Sequence, residues 1–530
     1  MRGEKSRGLV KSGFEKAKNV GVFVRESTGL VKTVSFFEAV SLNISDMSAG
    51  AALATIGFTM LLFTTVSGMN LVYGSLIAFA ISIPQIIVYS MMNKRVPRTG
   101  GDYIWISRIF GGLFGGSLSF MGYSRETLAY LALIALSTVF AIGAVGVALG
   151  YSGMLSLALP GNISGSSPAL QFIIAAVIFA ALIMVNIFRP KAGYRLVAVS
   201  IVIGILVLLL SIGVLLYAGK PGVESYINSL TGEGLNMTYA QIASSYHGSS
   251  FNLSTTLLLI PFFAIFVYPW INASPAVSSE IKGKKALKWG VPVASVFVML
   301  LVTGAFATMY YVGGYGFITA ALSNSNLVNN FSFNFWTLAM GVSHSWILSL
   351  IIGLGWIIWS FAILAYGIIV FSRYIFAQAF DRFLPEKLAY VSHRFGSPVA
   401  AHLFDLVLTV ALIGAAAFIY GPFSSLYGAV AAAMIYFAFV GGAAVIYGIR
   451  NERGRSRTYL AVSGALMALV FAYITYQFFA YSNVWGGNYL AYGYIVASFI
   501  AGVILYSVSK WRNAKKGVDI SMAFKEIPPE

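Results

Sequence analysis

Twelve apolar runs, each long enough to cross a bilayer, constrain this chain more than any other feature. A helical span needs roughly 20 consecutive apolar residues. The runs fall at about 36–63, 70–92, 113–148, 169–188, 194–218, 255–280, 289–312, 346–377, 399–420, 424–449, 459–481 and 488–510. Alternation of apolar and polar residues is absent, which excludes a β-barrel. With 58% hydrophobic and 10% charged residues, a water-soluble fold would have too little polar surface to cover itself. The expected fold class is therefore an all-α membrane protein with twelve transmembrane helices.

Charge sets the expected orientation. Of the 34 Lys and Arg, all but Lys220 and Arg125 fall in the terminal segments or in the connections that follow even-numbered spans. Cytoplasmic loops carry the excess of Lys and Arg, so both termini are expected in the cytoplasm of a cell-membrane protein. This also removes the nucleic-acid reading that a net charge of +17 invites. The basic residues act as topology determinants and touch anionic lipid. Residues 1–33 read as a polar cytoplasmic arm without the apolar core and cleavage site of a signal peptide. Residues 219–254 read as an extracellular loop, and 511–530 as a cytoplasmic tail. The outer connections carry the sequons starting at Asn162, Asn236, Asn252 and Asn330, as glycosylation sites or by chance.

Cysteine is absent, and the four histidines lack ligand spacing, so no metal or cofactor is expected. No His-Glu-x-x-His stretch or paired nucleophile and base lies within a span, which argues against an enzyme. A channel would need a continuous polar pore, and most spans are too apolar to line one.

Charges in hydrocarbon are costly and mark function by default. Asp46 lies about ten residues into the first span, roughly 15 Å deep. Arg125 and Glu126 lie at similar depth in the third. The expectation is that Asp46, Arg125 and Glu126 govern coupling or selectivity, or form a structural ion pair. Asp405 and Glu280 sit near helix ends, where anchoring or capping is the simpler reading.

Two spans are interrupted. The first carries Ser48-Ala49-Gly50-Ala51 after Asp46, and the sixth reads FAIFVYPWINASP with Pro269 in its middle. Proline removes a backbone donor, and freed backbone groups inside a membrane are tolerated only beside protein or a cavity. A pair of broken spans in corresponding positions points to a transporter site. Their separation by five spans predicts a 5+5 inverted repeat, 34–218 and 255–449, with residues 450–510 forming two peripheral helices.

Two motifs then carry a resemblance. Val96-Pro-Arg-Thr-Gly-Gly-Asp-Tyr-Ile resembles the P-x-(S/T/A)-G-G-x-Y signature of amino acid–polyamine–organocation permeases. Ser372-Arg-Tyr-Ile-Phe-Ala-Gln-Ala-Phe-Asp-Arg-Phe-Leu-Pro, followed by Ser397-Pro, resembles the pattern after their eighth span. Glu280-Ile-Lys is similar to the end of their sixth. The resemblance, to a prokaryotic amino acid permease, implies a leucine-transporter-like fold and alternating access. It implies that a substrate α-carboxylate meets N–H groups at Ser48, Ala49, Gly50 and Ala51. The α-amine meets carbonyls near Phe266, Val267 and Tyr268, with Tyr268, Trp270 and Tyr123 as pocket walls or gate. Ser360 would join a sodium-type site, with Na+ or H+ as coupling ion. The chain departs from the pattern in having Ser48 for a glycine, Tyr-Pro-Trp for a small residue and Asn272 for an acid. The fifth span lacks the lysine that substitutes for sodium in some relatives. A polyamine or other organic cation is the alternative substrate class.

Overall fold

The computed structural model describes residues 29–233, 235–419 and 430–528, with only the backbone of 125–128 and 232–233. The helices that position the site are α1 (Phe36–Asp46), α2 (Ala49–Met60), α3 (Leu71–Arg95), α4 (Asp102–Ala148), α5 (Pro168–Phe188) and α6 (Pro190–Ser229). They continue with α7 (Ile260–Phe266), α8 (Ala273–Ala276), α9 (Lys284–Gly313), α10 (Phe335–Val342) and α11 (Trp346–Phe380). The last four are α12 (Val399–Phe418), α13 (Ala431–Asn451), α14 (Gly454–Ala480) and α15 (Tyr489–Ala514). Among the described residues, 10 helices are long and apolar enough to cross a membrane. The α1/α2 and α7/α8 segments are broken apolar helices in addition.

Local chemistry explains the ends. Ser35 and Glu38 form a reciprocal capping box at the start of α1. Asn70 caps α3 by accepting from the amides of Val72 and Tyr73. Proline opens both α5 and α6, where its missing N–H costs nothing. Helix α11 runs through the middle, against α1, α2, α4, α6, α8, α10 and α12. Each of its residues from Ala362 to Ala379 is buried. Helix α6 instead exposes Val199, Val202, Ile203, Leu206 and Leu209, the spacing of a lipid-facing stripe.

Several boundaries differ from the sequence reading. Helix α4 starts at Asp102, not near 113, and includes π-helical turns at Gly112–Gly116 and Phe120–Arg125. Its polar beginning is tolerated because Asp102 and Arg108 have buried partners, described below. Helix α6 runs past 218 to Ser229 through a kink at Gly219 (φ 57°). Much of the expected external loop 219–254 is thus helical. Of the arm 1–33 only 29–33 are described, and residues 424–429 of the tenth run lie outside the described residues.

One end of the bundle is tied shut. The amides of Thr33 and Val34 both donate to the carbonyl of Glu280 at 2.9 Å. Arg373 grips the Glu280 carboxylate through Nε (2.9 Å) and Nη2 (3.0 Å), and the Tyr194 hydroxyl donates to it as well. Nearby, Arg108 grips Asp381 in the same two-pronged way, and Tyr103 donates to Asp381 at 2.8 Å.

The tail packs against this end. Arg98 donates to the Pro528 carbonyl at 2.7 Å, and Arg108 donates to that of Glu526 at 3.1 Å. Phe524 is buried between Tyr506 and the backbone of Gly112. Phe524→Ala is expected to lower stability by about 3 kcal/mol, seen as a lower unfolding midpoint in detergent. A midpoint equal to that of the unaltered protein would mean that the tail does not dock.

Candidate functional site

The two broken helices meet face to face. Helix α1 ends at Asp46 and α2 begins at Ala49, with Ser48 between them at φ 29°, ψ 48°. That left-handed conformation is unfavourable for a residue with a Cβ. As the N-cap of α2, Ser48 does not cap it with its side chain. The hydroxyl instead donates to the carbonyl of Phe266, 3.0 Å away, at the end of α7. The amides of Ala49 and Gly50 at the start of α2 therefore keep the partial positive charge of a helix N-terminus, whereas that of Ala51 donates to the Ser48 carbonyl at 3.0 Å.

The break after Phe266 has an identifiable cause. Pro269 and the bulky Tyr268 and Trp270 follow Val267, whose φ −129°, ψ −89° ends α7. Several of the freed backbone groups find partners within the protein, as a membrane interior demands. The Trp270 indole donates to the carbonyls of Ala264 (3.1 Å) and Ile265 (2.7 Å). Gln85 donates to the Pro269 carbonyl at 2.9 Å.

The start of α8 is capped from α1. The Ala273 amide donates to Asp46 Oδ2 at 3.0 Å. The Ser274 amide donates to Asn43 Oδ1 at 2.9 Å, and Asn43 Nδ2 donates to Ser274 Oγ at 2.8 Å. Asn43 and Asp46 are three residues apart, on one helical face. The polar residues in the first span thus supply acceptors for amides in the sixth. Asp46 Oδ1 has no hydrogen-bond partner, and Tyr366 lies beside the carboxylate.

A cavity of about 10 Å³ lies next to the breaks, lined by Tyr123, Tyr130, Trp270, Ile363 and Tyr366 among others. That is room for about one water molecule, so this conformation is closed around the site. The rings of Tyr130 and Trp270 stack with an interplanar angle of 10°. On the far side, Gly50 fits against Trp359, and its carbonyl accepts from the Trp336 indole at 3.0 Å.

The expected residues thus fall into separate groups. Asp46, Ser48, Phe266 and Asn272 are brought together, with Trp270 and Tyr123 on the cavity wall. Tyr268 differs: its hydroxyl bonds Ser75 at 2.6 Å, and it borders a second cavity with Ala78 and Ile474. The residue after the break points towards α3 because Ser75 supplies the polar partner a buried hydroxyl needs. Ser360 donates to the Trp356 carbonyl in its own helix at 3.5 Å. The side chains of Arg125 and Glu126 lie outside the described residues. Asn43, Tyr130 and Tyr366 were not singled out from sequence; for Asn43 the signal was its spacing from Asp46.

Nor was Asp102, the variable position in the Gly-Gly motif. It is fully buried and accepts from Tyr89 and Tyr374. The Tyr374 hydroxyl in turn accepts from Asn272 Nδ2 at 3.0 Å. The glycines before it bring this turn onto α8. The Gly100 amide donates to the Ala276 carbonyl at 2.8 Å, and a Cβ on Gly101 (φ 47°) would lie 2.8 Å from the backbone of Pro275.

A family model described as amino acid permease matches residues 34–504. Over 90 residues the chain is 26% identical to Uncharacterized protein 399 of Sulfolobus islandicus rod-shaped virus 1. That stretch is 17% of this chain and 22% of the viral protein, so the chain spans about a fifth of that relative.

Proposed function

The chain belongs to the amino acid permease family, and from that premise we propose that it moves amino acids across the cell membrane by alternating access. The observation that carries this reading is the meeting of two broken helices, joined from Ser48 to the Phe266 carbonyl beside an aromatic cavity. In this reading the two broken segments each cross the bilayer. Together with the uninterrupted helices they make twelve spans, arranged as a 5+5 inverted repeat with two peripheral helices. The basic residues favour cytoplasmic termini.

The closed site fits a substrate in outline. Carbonyls at the end of α7 are held by the protein's own donors, Ser48 Oγ and Trp270 Nε1. A substrate ammonium would displace these donors and take the same acceptors. Its carboxylate would meet the amides of Ala49 and Gly50 at the positive end of α2. Tyr123, Tyr130 and Trp270 would face its side chain. Entry requires the tied end or its opposite to open, as alternating access needs. Asp46 serves in coupling by holding α8 to α1, so that a change of its charge would loosen one broken helix from the other. A proton or sodium ion is the coupling ion, with Ser360 as the candidate sodium contact.

Uptake in proteoliposomes tests the reading. A panel of labelled amino acids and putrescine is compared with and without an inward proton gradient at fixed sodium. Saturable uptake of one amino acid class is expected, and acceleration by the gradient would identify the proton as driver. Transport of putrescine alone would replace amino acids by organic cations.

A further inference from the structure

Asp102 is a carboxyl group that the transport reading leaves without a task. It sits at the start of α4, fully buried, and the groups packed on it are tyrosines from three other helices. Tyr89 on α3 and Tyr374 on α11 donate to it, and Tyr436 on α13 lies close by. Tyr103 is its neighbour on its own helix. The nearby guanidinium groups are engaged elsewhere: Arg108 grips Asp381, and Arg373 grips Glu280. The remaining carboxylate in its surroundings is Asp46 on α1.

Hydroxyl groups differ from guanidinium in one decisive way. They can reverse, donating to a carboxylate and accepting from a carboxylic acid. The Tyr89 ring lies against Trp105 and Phe437. Tyr374 has a second polar neighbour in Asn272. Its hydroxyl now accepts from Asn272 Nδ2, while Asn272 Oδ1 is fully buried and has no hydrogen-bond partner. With a proton on Asp102 Oδ1, that O–H would donate to Tyr374. The Tyr374 hydroxyl would turn and donate to Asn272, whose amide would rotate to present Oδ1. Asn272 is the N-cap of α8, and the next amide, Ala273, is bound to Asp46.

We infer that Asp102 is a proton-binding positioning residue: its protonation state sets, through the Tyr374 hydroxyl, which face of the Asn272 amide is presented at the break of the sixth span. The orphaned Asn272 oxygen is the second observation that points to such an exchange, since buried polar atoms are rarely left unpaired. One proton enters at Asp102, two hydrogen bonds reverse, and no other group changes charge. The effect on transport rests on the proposed function; the titration itself does not.

The test is infrared difference spectroscopy of the purified full-length protein in lipid nanodiscs, between about pH 9 and pH 4, a window spanning ordinary and raised carboxyl titration. A protonated-carboxyl band is expected to grow as pH falls. It should vanish in Asp102→Asn and move in frequency in Tyr374→Phe, which keeps the acid but removes its hydroxyl partner. Asp405→Asn, away from this chain of bonds, should leave it in place. An Asp102→Asn spectrum identical to the unaltered protein at every pH would overturn the inference. If that variant fails to fold, an unmoved band in Tyr374→Phe does so instead. In proteoliposomes, the pH dependence of uptake should flatten in both variants; a merely structural role would lower uptake at all pH values and keep the profile. A titrating band without amino acid uptake would sink the transport reading and leave Asp102 as the proton site.

Discussion

Glu280→Ala is expected to destabilise the folded protein by about 3–5 kcal/mol, the cost of leaving a buried charge without its partner. The stranded charge is Arg373, whose side chain is 1% exposed. Water cannot replace the lost carboxylate at that depth. Tyr194 supplies a hydroxyl contact at 3.2 Å, but a neutral dipole cannot balance a guanidinium. The same carboxylate belongs to the residue whose carbonyl holds residues 33 and 34. Loss of the pair is therefore expected to loosen the whole tied end. The measurement is the unfolding midpoint in detergent, with protease sensitivity near residues 33–34 as a local readout. The doubly altered Glu280→Ala, Arg373→Met should recover much of the loss, because removing both charges also removes the desolvation cost. A single variant as stable as the unaltered protein would show that Arg373 reaches water when Glu280 is gone.

That pair illustrates what hydropathy reveals and hides. The long apolar runs marked the membrane-crossing helices, because a stretch of about 20 apolar residues has few other uses. The breaks were visible too, since Pro269 and the Ser48-to-Ala51 stretch interrupt an apolar pattern that would otherwise continue. Polar residues inside the bundle were harder to read. Asp102 and Arg108 lower local hydropathy, so the helix that carries the third apolar run begins well before that run. In the fold their charges are met by Tyr89, Tyr374 and Asp381. Whether a buried polar group is an end or an interior depends on partners distant in sequence. For Asp102 and Tyr374 that separation is 272 residues. The tail shows the same limit. It read as a cytoplasmic tail, and nothing in that reading foretold that Ile520, Ala523 and Phe524 are buried against the bundle. Trp270 is subtler still. The family resemblance made it a pocket wall or gate; it borders the small cavity, while its indole nitrogen serves the carbonyls of its own segment, and no spacing rule forecasts that.

Gly50→Ala should be strongly damaging to transport for a single added methyl. A Cβ at Gly50 would lie 2.2 Å from Trp359 Cγ and 2.5 Å from its Cβ, far inside van der Waals contact. The indole cannot simply withdraw. It is fully buried, and its Nε1 donates to the Gly204 carbonyl at 3.1 Å. Nor can Gly50 retreat, because its own carbonyl is held by Trp336. Overpacking of this kind costs about 1–3 kcal/mol. The functional loss should be larger than that cost implies. The clash falls within the first turn of α2, so relieving it displaces the amides proposed to meet the substrate carboxylate. Uptake is expected to fall at least about tenfold, equivalent to roughly 1.4 kcal/mol of lost binding or transition-state free energy. Gly304→Ala provides the control: it is also helical, and a Cβ there meets nothing within 4 Å. That variant should be neutral or stabilised by about 0.4–1 kcal/mol, with uptake unchanged. Combining Gly50→Ala with Trp359→Leu removes the ring that the methyl strikes, and should restore uptake further than it restores stability. Equal uptake by the Gly50 and Gly304 variants would mean that α2 can shift without consequence, and the substrate would then have to be held elsewhere than at the start of α2.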